Sequence, residues 1–91
     1  MEKTISKKIL PYKDFPKGFN VLLYNDEIHQ MDEVVEALKI IGCSEKEAAG
    51  IAFFAHKSGM VIVKTEQDRA FARAMIRSLR TSGLQVELYE I

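Results

Sequence analysis

From Phe19 onward the apolar residues switch repeatedly between strand and helix periods, and a glycine (Gly42, Gly59 or Gly83) stands wherever a helical period stops. That punctuation limits the chain to a few short elements in one order. Phe19-Asn-Val-Leu-Leu-Tyr24 is apolar, with a β-branched and two aromatic residues, and Asn25-Asp26 closes it. It reads as a buried strand running into a turn. Met31, Val34, Val35, Leu38 and Ile41 recur at helical spacing, with Asp32 and Glu33 in the first turn, where the helix dipole favours them. Ser44-Glu-Lys-Glu47 is a capping box that opens a second helix from Glu45 to Lys57. Met60-Val-Ile-Val63 reads as a strand. Thr65-Glu-Gln-Asp68 is expected to cap a third helix reaching about Thr81, with Phe71, Ala74, Met75 and Leu79 turned inward. Arg69, Arg73, Arg77 and Arg80 form its solvent stripe, and Leu84-Gln-Val-Glu-Leu88 alternates as a half-buried strand.

The order is therefore β-α-α-β-α-β. Its economical packing is an α+β domain, a three-stranded antiparallel sheet with the three helices on one face. A chain of 91 residues allows one such domain. Residues 18–91 are expected to form it. Residues 1–17 carry Lys3, Lys7, Lys8, Lys13 and Lys17 against Glu2 and Asp14, a net of +3, with Pro11 and Pro16 and no sustained period. They read as a flexible basic N-terminal extension.

Composition narrows the function. Thirteen basic residues balance thirteen acidic ones, which argues against binding nucleic acid through bulk charge. The Arg stripe has Glu66 and Asp68 beside it and no aromatic platform, so it reads as a solvated face. The longest apolar run, Ile51 to Ala55, is far short of the ~20 residues of a membrane span. No apolar segment of signal-peptide type opens the chain. A single cysteine, Cys43, excludes an intramolecular disulfide and fits a reducing compartment, so a cytoplasmic location is expected.

Catalytic chemistry finds little support. Cys43 has neither His29 nor His56 near it in sequence, as a nucleophile–base pair would require. His29, His56, Asp26 and Glu27 lack metal-ligand spacing, and no phosphate loop follows a strand. The expectation is a protein without catalytic residues, metal or cofactor. A polar set remains at the ends of elements: Asn25 and Asp26 after the first strand, and His56 closing the second helix, beside Met31 and Val34. An amide oxygen, a carboxylate and a neutral imidazole nitrogen suit a small cation with several N–H donors, such as a free α-amino group. The plainer alternative is an Asx turn at Asn25-Asp26 and a helix cap at His56.

Two segments carry a family likeness. Val21-Leu-Leu-Tyr-Asn-Asp-Glu-Ile-His-Gln-Met31 resembles the strand, Asn-Asp and Met pattern of ClpS, the adaptor of the Clp ATP-dependent protease, and Ala55-His56-Lys-Ser-Gly59 resembles that family's helix-ending His followed by Gly. The element order from Phe19 to Glu90 agrees as well. The resemblance implies an adaptor that binds proteins with N-terminal Phe, Tyr, Trp or Leu and delivers them to a Clp AAA+ unfoldase of ClpA or ClpC type. It implies that Asn25, Asp26 and His56 bind the substrate amine, with Asp26 acting through backbone or water. Met31 would be the gate that rejects β-branched side chains, and Val34, Ala52, Ala55 and Leu84 would wall the side-chain pocket. Residues 1–17 would engage the unfoldase.

Three positions depart from the family pattern. His29-Gln30 stands where Thr-Pro is usual, and Ala52 and Ala55 stand where Met and Val are common. The departures leave the amine site intact, alter the side-chain pocket and put the polar edge of His29 on it. No nucleic-acid or membrane partner is expected, and the chain is expected to be a monomer. The competing expectation is a non-degradative interaction domain resembling the C-terminal domain of the ribosomal stalk protein.

Overall fold

The computed structural model describes residues 18–91, which form β1 (Phe19–Tyr24), α1 (Met31–Ile40), α2 (Glu45–Ser58), β2 (Met60–Glu66), α3 (Arg69–Thr81) and β3 (Gln85–Glu90). The expected order and α+β class hold. The reading of residues 1–17 as an extension lies outside the described residues.

The three strands order as β2-β1-β3, both pairings antiparallel, so the most apolar strand takes the centre. Val21 and Leu23 of β1 and Val86 of β3 point to the helix side and are buried, as period-2 alternation demands. The opposite face carries Leu22 and Tyr24 beside the exposed Ile62. Helices α2 and α3 pack on the sheet, and α1 packs on both of them. The core gathers Leu38 of α1, Ala48 and Ala55 of α2, and Ala72, Met75, Ile76 and Leu79 of α3.

Local chemistry explains most boundaries. Ser44 Oγ accepts from the Glu47 backbone N–H at 3.1 Å, and the Glu47 carboxylate accepts from Ser44 N–H at 2.9 Å, closing the capping box at α2. Gln30 N–H donates to Glu33 at 2.8 Å and fixes the entry into α1.

Two expectations are corrected. Strand β2 runs to Glu66 rather than Val63, because a bulge near Val63 shifts the register so that Thr65 and Glu66 still pair with Asn20 and Phe19. The Thr65 hydroxyl donates to Asn20 at 2.6 Å, and Asp68 alone caps α3 by accepting from Ala70 and Phe71 N–H. The second correction concerns the face of α3. Ala72, Met75, Ile76 and Leu79 are buried, whereas Phe71 is 54% exposed and Ala74 is exposed. The small Ala72 lets the helix approach the sheet closely. Phe71 lies at the flank, with the Lys64 ammonium 6.0 Å from its ring. The arginines are exposed as expected, and two of them tie α3 to β3. Arg80 donates to the Val86 carbonyl at 3.1 Å, and Arg69 lies 3.4 Å from Glu90.

Candidate functional site

The end of β1, the loop to α1, the start of α1 and the end of α2 meet around a cavity of about 390 Å³, within the size range of small-ligand sites. One backbone bond brings the polar residues together. Gly59, at φ 88°, ends α2 in the left-handed conformation, and its carbonyl accepts from Asn25 N–H at 2.9 Å. The last turn of α2, which carries His56, is thereby fastened to the end of the central strand, which carries Asn25.

All nine residues singled out from sequence line this cavity. Asn25, Asp26 and His56 are on its polar side, Met31 and Val34 come from α1, Ala52 and Ala55 from α2, and Leu84 precedes β3, with His29 in the loop. Ala52, Ala55 and Leu84 are 4–5% exposed, so the apolar wall is continuous with the core, while Met31 stands at the rim, 40% exposed. Phe53 and Phe54 are 54% and 60% exposed and line no part of the cavity. The wall at Ala52 and Ala55 therefore consists of methyl groups alone.

The polar residues divide in two. The side chains of Asn25 and His56 are exposed, and no hydrogen bond engages them among the described residues. Gly59 N–H, not His56, answers the Ala55 carbonyl at the helix end. The helix-cap alternative for His56 thus fails. For Asp26 the Asx turn is present: Oδ1 accepts from Ile28 N–H at 2.9 Å and from His29 N–H at 2.8 Å, and Oδ2 meets His29 Nδ1 at 3.0 Å. The His29 backbone N–H, with its ring and the Ile28 N–H, holds the Asp26 carboxyl below the usual carboxylate value, against the opposing effect of burial. The turn is therefore stabilised at neutral pH, and that contribution is lost only as pH falls through the depressed value.

Leu23, Tyr24, Glu27 and Gln30 also line the cavity; none of them is assigned to the binding site from sequence, although they neighbour residues that are. Gly83 had no sequence signal beyond ending a helix. Its φ is 87°, and a Cβ there would lie 3.0 Å from His29 Nε2, so it both turns the chain into β3 and makes room for the ring. Gly83→Ala is expected to cost about 1–2 kcal/mol from the left-handed backbone alone and to displace His29. Thermal melting should show a drop of roughly 4–15 °C. An unchanged melt would mean that the turn is not held this way.

Cys43 is half-buried in a different cleft, lined by Ile51, Phe54 and Met75 and by neither histidine. Burial, then Glu47, push its thiol pKa up. Among the described residues no group of His, Cys, Asp and Glu is placed to hold a metal ion, and no helix is long and apolar enough to cross a membrane.

Three comparisons bear on this arrangement. Residues 14–87 match the family model of the ATP-dependent Clp protease adaptor protein ClpS. The fold is similar to the structure of Agrobacterium tumefaciens ClpS2 bound to L-phenylalaninamide, with a TM-score of 0.77, covering 85% of this chain and 100% of that one at 23% sequence identity. At that identity the likeness shows the fold. No curated protein sequence matches the chain.

Proposed function

The chain belongs to the ClpS family of Clp protease adaptors, and from that premise we propose that it binds the N-terminal residue of substrate proteins and hands them to a Clp AAA+ unfoldase. The observation that carries the reading is that two exposed residues with hydrogen-bond acceptors, Asn25 and His56, line the same cavity as the buried apolar wall of Ala52, Ala55 and Leu84. Such acceptors suit an ammonium, and an apolar wall suits the side chain on the next carbon. The Asp26 carboxylate, occupied by its own turn, contributes negative charge near the amine rather than a direct bond. Met31 at the rim excludes a branch at Cβ. L-phenylalaninamide, the ligand in the Agrobacterium structure, has a free amine and an aromatic side chain, which is the chemistry this cavity fits.

The same proposal makes the protein a non-enzymatic, cytoplasmic monomer whose partner is of ClpA or ClpC type, with residues 1–17 contributing to delivery. Family membership favours it over the ribosomal stalk-like alternative.

The test is a panel of short peptides differing only at the first residue. The methyl-lined wall leaves space that Leu does not fill, and each buried methylene left without contacts forgoes roughly 0.8 kcal/mol. Phe, Tyr and Trp are expected to bind about tenfold tighter than Leu, with Ile and Val excluded. Ala52→Met should restore Leu at the expense of Trp. Leu binding as tightly as the aromatics would show that the cavity is not enlarged.

A further inference from the structure

We infer that His29 is a specificity-determining residue that selects first side chains bearing a hydrogen-bond donor, Tyr or Trp, over Phe. The inference rests on the N-terminal recognition proposed above and concerns another residue that lines the same cavity. Nothing in that reading by itself ranks the three aromatics.

The argument begins at Asp26. Its carboxylate accepts only, and it meets His29 Nδ1 at 3.1 Å through Oδ1 and 3.0 Å through Oδ2. Nδ1 therefore carries the proton, and in the neutral ring Nε2 is left as an acceptor. The His29 backbone N–H donates to the same carboxylate, so main chain and ring are held by one anchor and the ring has little freedom to turn. The other side of the ring is fixed too. Nε2 lies against Gly83, where a Cβ would stand 3.0 Å away, in the turn that leads directly to the wall residue Leu84. No donor among the described residues reaches Nε2, and no unpartnered polar side-chain atom is sealed inside the protein. The acceptor is thus oriented, unpaired and still reachable, on a ring that lines the cavity.

Such an atom discriminates in two directions. A Tyr hydroxyl or Trp N–H that reaches it keeps the hydrogen bond it had in water. A Phe ring desolvates the acceptor and gives nothing back. Without an acceptor, the Tyr hydroxyl becomes the group left unpaired in an apolar pocket, and the order reverses.

The experiment measures binding of peptides that begin with Phe, Tyr or O-methyltyrosine and share one following sequence, to the wild-type chain and to His29→Leu at pH 8. In the wild type, Tyr is expected to bind roughly 3- to 10-fold tighter than Phe, and O-methylation should remove that advantage. In His29→Leu the Tyr-to-Phe ratio should fall below one. A general loss of packing lowers both affinities and leaves their ratio in place, and the O-methyl comparison needs no variant. Equal binding of Tyr and O-methyltyrosine to the wild type, or an unchanged ratio in His29→Leu, overturns the role of His29 while leaving N-terminal recognition standing. If neither the Phe nor the Tyr peptide binds, the recognition reading falls and this inference with it.

Discussion

Acetylation of the α-amine is expected to abolish binding of a peptide that begins with Phe, a loss of roughly a hundredfold or more. Hydrogen bonds to a charged group are worth roughly 1.5–3 kcal/mol each, and acetylation removes both the charge and the donors that Asn25 and His56 would receive. An amide N–H from the middle of a chain presents one neutral donor, which is why these acceptors would discriminate a chain terminus from an internal residue. His56→Ala should weaken binding about 10- to 150-fold, and Asn25→Ala by a similar factor. Both side chains are exposed, so neither variant disturbs the core. Fluorescence anisotropy with free and acetylated peptides would decide the matter, and equal affinity for the two would sink the proposed recognition.

Leu79→Ala is expected to bring the domain close to unfolding. Leu79, in the last turn of α3, is fully buried and is one of the largest sealed side chains, with Leu23, Leu38 and Val21. Truncating a buried Leu costs about 2–5 kcal/mol, and a domain this small has only about 3–5 kcal/mol to lose. The melting temperature should fall by at least roughly 10 °C. Phe71→Ala, in the same helix, should change it little, since that ring is 54% exposed. Circular dichroism melts of the two variants check the orientation of α3 directly. Equal losses would mean that the helix presents the face expected from its sequence instead.

The contrast between these two residues shows where local pattern stops being informative. Helical spacing marks Phe71, Met75 and Leu79 as one stripe, and the same spacing also marks Ala72, Ile76 and Leu79. Propensity and period do not choose between stripes that overlap by a few tens of degrees. The choice is made by which small residue lets the helix backbone approach the sheet, and that depends on strands far away in sequence. Strand β2 gives the same lesson: Thr65 and Glu66 look like the lead-in to a helix until Asn20 and Phe19 are alongside to pair with them.

What the chain determined by itself was local. The capping box at Ser44, the glycine stops, the apolar run of β1 and the helical periods of α1 and α2 each depend on residues within about one turn, so element order and fold class could be read directly. Asn25, Asp26 and His56 were also legible, as polar residues placed at the ends of apolar elements. Only the tertiary structure decided how they are placed. Asn25 and His56 face one cavity because Gly59 at the end of α2 bonds back to β1. Asp26 is spent on the local turn that Asn25-Asp26 already suggests, whereas His29 finds a place to lie against Gly83, far along the chain. The pairing of Asn25 with Gly59 and the packing of His29 on Gly83 rest on contacts between residues distant in sequence, and a one-dimensional pattern holds no information about which distant backbone will come within reach.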